Sequence, residues 1–306
     1  MKFLKNIKFF LFGSILIINQ VNAVLTPQEE QEIIQEASVP QELQDALDPW
    51  FSDDSVIRST FIEEKIKLFP NEMANLISRK GLDRKTAEEL NNHVTLYWQK
   101  INSVCEDYSL NLKIGTSFVL TLPTLPNYVV RINRIKWPLN IQNISRVFYA
   151  KEINRYVEEK GFSKIIPLKA FLYHIPGRPT ALNDSNYLVI QENVFSKLNN
   201  PQITSLPPKE INMRILRELK DHSTIENEDL RTQIVHVTGA CGLWDFDNGE
   251  NMILVPQVGG LKAVFVDTEI PGFGGGSETH FFHKGQGEVD SNTRCGFRAL
   301  HKLITS

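Results

Sequence analysis

Cysteine is scarce, with Cys105, Cys241 and Cys295 the only three in 306 residues. Such a chain closes at most one internal disulfide and keeps a thiol over, so disulfides are not its main staple. Excess charge of either sign is also missing. The 33 Lys and Arg stand against 36 Asp and Glu, for a formal charge of -3, which excludes a polybasic nucleic-acid binder and an acidic tail. Apolar residues make up 42% and charged residues 23%, enough to bury a sizeable core and incompatible with a disordered or collagen-like chain. No internal repeat and no single-sign charge block stands out.

Long apolar runs are missing with one exception, Phe9 to Ile18. Lys2, Lys5 and Lys8 precede it, and Val21 and Ala23 follow at cleavage-like spacing. That reads as a secretory signal peptide over residues 1–23. The run is too short to cross a hydrocarbon core of about 30 Å as a helix, so no stable membrane anchor is expected. Cleavage near Ala23 would leave 30 basic and 36 acidic residues on a secreted or periplasmic chain.

Residues 24–110 are helical in character, with charged and apolar residues interleaved over Pro27 to Glu36, Gln41 to Leu47 and Arg84 to Ile101. Thr26 and Glu29 have capping-box spacing at the first of these. The pattern changes near Leu112. Ser117 to Leu122 and Tyr128 to Ile132 are rich in β-branched and aromatic residues and flank a Pro-punctuated turn, the signature of paired strands. Ser145 to Gly161 carries Val147, Ala150, Ile153 and Val157 on one helical stripe, and Gly161 sits where a helix commonly ends. Strands are expected at Ala170 to His174, Tyr187 to Glu192, Met252 to Val255 and Ala263 to Val266. Helices are expected at Lys209 to Lys220, Asp229 to Val237 and Phe297 to Ile304.

The stretch most informative about chemistry is residues 243–269, LWDFDNGENMILVPQVGGLKAVFVDTE. An acidic loop, a strand, a Gly-Gly turn and a second strand end on Asp267, placing oxygen ligands at both ends of a hairpin. Asn251 and Asp267 would face one pocket, and hard oxygen ligands suit Mg²⁺ or Mn²⁺. Other motifs fall short. The run DFDNGEN has its Gly displaced from the EF-hand position and Pro256 at the twelfth position. His280, His283 and Cys295 do not complete a four-ligand zinc signature. Phe273 to Gly276 lacks the Lys of a phosphate loop, and Arg134 and Lys136 beside Trp137 read as a solvated face. Asp245, Asp247 and Asn248 also fit a plain polar turn, Asp267 a strand-end cap, and Arg131 with Glu152 a structural ion pair.

The order of elements from about Asn111 to Glu269 resembles the protein-kinase-like fold. The resemblance implies an α+β, two-lobe architecture: an N-lobe over residues 111–195, a shortened C-lobe over 196–306, and the helical N-terminal module before them. It implies ATP and Mg²⁺ or Mn²⁺ as cofactors. By position, Arg131 stands where the family has its phosphate-gripping Lys, Glu152 where the helix acid orients that cation, and Glu192 and Val194 where hinge backbone meets adenine. Asn251 and Asp267 stand at the metal positions, and Asp247 or Asp245 at the catalytic base. Several features depart from the family. There is Arg instead of Lys, no Gly-rich loop before β-strand Arg131, no His-Arg-Asp, no Phe-Gly after Asp267, and only 37 residues after Glu269. The resemblance therefore carries two functional expectations: an exported nucleotide-binding phosphotransferase, or an inactive pseudokinase scaffold binding a protein partner through the N-terminal helices and the Gly-rich residues 270–296.

Overall fold

Helix-forming signals dominate the start of the chain, and local caps decide where each helix begins and ends. The computed structural model describes residues 27–134, 142–183, 185–198, 210, 214, 228–240 and 251–266. Helix α1 spans Pro27–Ala37 and α2 spans Gln41–Phe51. A short turn at Val56–Arg58 runs into a π-helical turn at Ser59–Glu63. Helix α3, Pro70–Lys80, starts with Pro at its first turn and ends on Gly81 at φ 59°, the left-handed conformation that glycine adopts without strain. Asp83 caps α4, Arg84–Asp107, by accepting from the Thr86 amide at 3.0 Å. The Thr26 cap, the segment 209–220 apart from Glu210 and Arg214, and the terminal helix expected at 297–304 lie outside the described residues.

Strands β1 (Asn111–Ile114), β2 (Ser117–Thr121) and β3 (Tyr128–Asn133) form an antiparallel meander. Helix α5, Gln142–Lys160, then leads to β4 (Ile165–Ile166), β5 (Ala170–His174) and β6 (Tyr187–Glu192). The first sheet has the order β1-β2-β3-β6-β5 and is antiparallel throughout. Helices α6 (Val194–Lys197) and α7 (Glu228–Ala240) and the hairpin β7 (Met252–Gln257) and β8 (Gly260–Phe265) complete the described chain. The second sheet has the order β4-β8-β7, with β4 parallel to β8. The molecule is thus a mixed α+β fold. No helix among the described residues is long and apolar enough to cross a membrane.

Alternation along the strands sorts side chains onto two faces. Phe118, Leu120, Val130, Ile132, Leu188, Ile190 and Tyr173 share one core with Leu47 and Phe51 of α2, Phe61 of the π-turn, and Tyr97 and Ile101 of α4. Each large side chain fully buried there contributes roughly 1.5–3 kcal/mol. The change of character near residue 110 is therefore a change of element type within one continuous core. Leu172, Tyr187 and Val189 point to the opposite face and meet Ile144, Val147 and Ala150 of α5. Further along the same helix, Tyr149, Ile153, Tyr156 and Val157 pack with Ile234 of α7 and with Met252, Leu254 and Phe265 of the second sheet. Helix α5 is thus the element that both sheets share.

Candidate functional site

Arg131 lies in mid-strand on β3, where alternation turns it away from the core of Val130 and Ile132 and onto the α5 face. It is flanked there by Val119 and Val189, its register partners on β2 and β6. Only 7% of Arg131 is exposed, so the guanidinium must find acceptors inside the protein. Its Nε donates to Gln191 Oε1 at 3.0 Å, and its Nη2 donates to the Val266 carbonyl at 3.0 Å. Gln191 Nε2 donates to the same carbonyl at 3.1 Å. The three groups form a closed ring of hydrogen bonds joining the first sheet to the end of β8.

Val266 is the residue immediately before Asp267. Its own amide donates to the Asn251 carbonyl at 2.8 Å, and Asn251, at the start of β7, is buried. The fold thus gathers Arg131, Asn251 and the chain leading into Asp267 at one junction. Asp245, Asp247 and Asp267 themselves lie outside the described residues, as do residues 270–296 and the His280, His283 and Cys295 set. Glu152 belongs to α5, but its side chain is outside the described set. Among the described residues no three His, Cys, Asp or Glu side chains gather as a metal group. Asn251 is a hard oxygen donor of the kind Mg²⁺ and Mn²⁺ accept.

The segment after β6 is tied down by the protein itself. Glu192 accepts from the Lys169 amide at 2.7 Å and pairs with Lys197 at 2.9 Å, while its own amide donates to the Lys169 carbonyl at 2.9 Å. Asn193 caps the single turn of α6. Val194 is buried against Leu168, Ile253 and Val264, so this segment joins the two sheets at a second point.

Arg134, expected on a solvated face, is instead 8% exposed. Its guanidinium donates to the Gly115 carbonyl at 2.8 Å, the Lys67 carbonyl at 3.1 Å and Glu72 Oε1 at 3.0 Å, and it lies over the Phe69 ring at 4.5 Å. The backbone amide of Arg134 reaches the Thr116 carbonyl at 3.2 Å. The sequence-based expectation fails because a net charge describes the whole surface and says nothing about one side chain. Arg134 thus fastens the short β1–β2 turn to the segment at Lys67 and to Glu72 of α3. Glu72 is held below its ordinary 4.5 by the hydrogen bond from Arg134, against an opposing effect of burial.

Two groups at this junction were not singled out from sequence: Gln191 and the Val266 carbonyl. A polar residue in the apolar run YLVIQ was the available signal for the first. A main-chain carbonyl leaves no signal in a sequence. No protein-family model, no curated protein and no solved structure matches this chain.

Proposed function

We propose that the chain is a divergent kinase-like protein that binds ATP with Mg²⁺ or Mn²⁺ at the junction of its two sheets. The observation that carries this reading is the meeting of Arg131 with the main chain at Val266, one residue before Asp267. A buried cation in the third strand, set against the segment that leads into the hairpin aspartate, is the layout such a site requires. The strand order β1-β2-β3-β6-β5, with α5 following β3, supports the same reading. In it Arg131 neutralises phosphate charge, with Glu152 alongside, and Glu192 and Val194 border the base. Asn251 and Asp267 hold the cation, which when bound offsets charge on the phosphates. Asp247 or Asp245 accepts the substrate proton. Catalysis of this kind rests on positioning and charge neutralisation.

Two observations favour the second reading, a pseudokinase scaffold. Arg134 fastens the β1–β2 turn, and two donors of Arg131 are already engaged by protein acceptors. Such a site binds nucleotide without transferring phosphate, or binds a protein partner through the N-terminal helices.

Thermal unfolding of the chain with and without ATP and Mn²⁺ tests the nucleotide reading. Ligand at a hundred times its dissociation constant stabilises the native state by about 2.7 kcal/mol. The expected result is a raised midpoint in the unaltered chain and no rise in Asp267→Ala. No rise at millimolar ATP and Mn²⁺ refutes nucleotide binding. Phosphate transfer to any acceptor at saturating ATP and Mn²⁺ refutes the scaffold.

A further inference from the structure

Of the side chains described at the junction, Gln191 is one for which the kinase resemblance provides no role. It is 5% exposed on β6, and burying an amide is unfavourable unless both of its ends are satisfied. Both ends are used, and on different partners. Its oxygen accepts from Arg131 Nε, and its nitrogen donates to the Val266 carbonyl that Arg131 Nη2 also reaches. The amide therefore restrains the cation and the approach to Asp267 together. A guanidinium held through Nε at the edge of its plane has a set orientation, which an ammonium on a flexible stem does not.

We propose that Gln191 is the positioning residue for phosphate recognition: it orients the Arg131 guanidinium toward the phosphates and fixes its distance from the end of β8. The assignment rests on the nucleotide reading above. In that reading Gln191 touches no phosphate and acts through Arg131. Its removal weakens recognition of a triphosphate and leaves recognition of the nucleoside unchanged.

The test compares the affinities of ATP with Mn²⁺ and of adenosine, by calorimetry, in the full chain and two variants. Gln191→Met matches the side chain in length and lacks both hydrogen-bonding groups. The expected loss in ATP affinity is about tenfold to a hundredfold, the usual effect of removing a buried hydrogen bond to a charged group. Adenosine affinity stays within about twofold of the unaltered chain's, a margin small beside a tenfold change. Gln191→Glu keeps an acceptor for Arg131 and loses the donor to Val266, so it recovers part of the ATP affinity and serves if Gln191→Met does not fold. Equal weakening of ATP and adenosine makes Gln191 merely structural and overturns the assignment, as does an unchanged ratio in both variants. If the unaltered chain binds neither ligand, the nucleotide reading falls, and this assignment falls with it.

Discussion

At the scale of single residues, the buried arginines carry the specific information. Arg131 was legible because a lone cation within the apolar run YVVRI must have a reason to be there. Its partner Gln191, 60 residues away, was not, because sequence order does not reveal which polar groups meet. Arg134 was misread for the same reason, and its pairing leads to a prediction. Arg134→Ala strips a buried cation from two carbonyls, a carboxylate and an aromatic face, and should cost about 3 kcal/mol in urea unfolding. Arg134→Lys should recover only part of this, because an ammonium cannot span the same acceptors. The pair also gives the stability a pH dependence. Glu72 titrates below its ordinary 4.5 in the folded chain, so its contribution is complete above that value and is lost as pH falls through the lower, folded one. Glu72→Gln should therefore flatten the acid limb of the stability profile below about pH 4.5. An unchanged acid limb would show that the pair contributes nothing to acid sensitivity.

At the scale of elements, what could be read from the sequence was the patterned part. The strands Ala170–His174 and Tyr187–Glu192 have the expected limits, because runs of apolar, aromatic and β-branched residues make up most of each. Helix α3 falls within the span 24–110 read as helical but was not delimited, although Pro70 and Gly81 mark its ends; of its short stripe Met73, Leu76 and Ile77, only Met73 is buried. Strand β4 is two residues long and is a strand only because it pairs with β8, which local sequence cannot reveal. Helix α5 was legible down to its last turn: Gly161 follows it at φ 64°, with its amide donating to the Glu158 carbonyl at 3.1 Å. A Cβ built there meets nothing within 4 Å, so a substitution is opposed by backbone conformation alone. Gly161→Ala should thus cost about 1 kcal/mol, and Gly161→Asn less, because Asn tolerates the left-handed region. Urea midpoints with unchanged slopes would check this. Equal costs for Ala and Asn would mean that the turn is set by something other than φ.

At the scale of the whole molecule, the question is what makes two sheets behave as one body. Two apolar links are in place: α5, which serves both cores, and Val194, packed against Leu168 and the β7–β8 hairpin. The ring of Arg131, Gln191 and Val266 is the polar link, and the Val266 amide ties it to Asn251. Polar links of this type are costly to break from one side, because the group left behind stays buried. Arg131→Met removes the cation and leaves Gln191 to hold Val266 alone. If the ring couples the sheets, native-state hydrogen exchange in this variant should quicken in β7 and β8, beginning with the Val266 amide that donates to Asn251. Amides of β2, β3 and β6 should keep their protection, because the core beneath them is shared with the N-terminal helices and not with the hairpin. Uniform quickening across both sheets would instead mean that they open as a single unit. The apolar links would then be sufficient to join them, and the cost of burying Arg131 would have to be explained by ligand recognition alone.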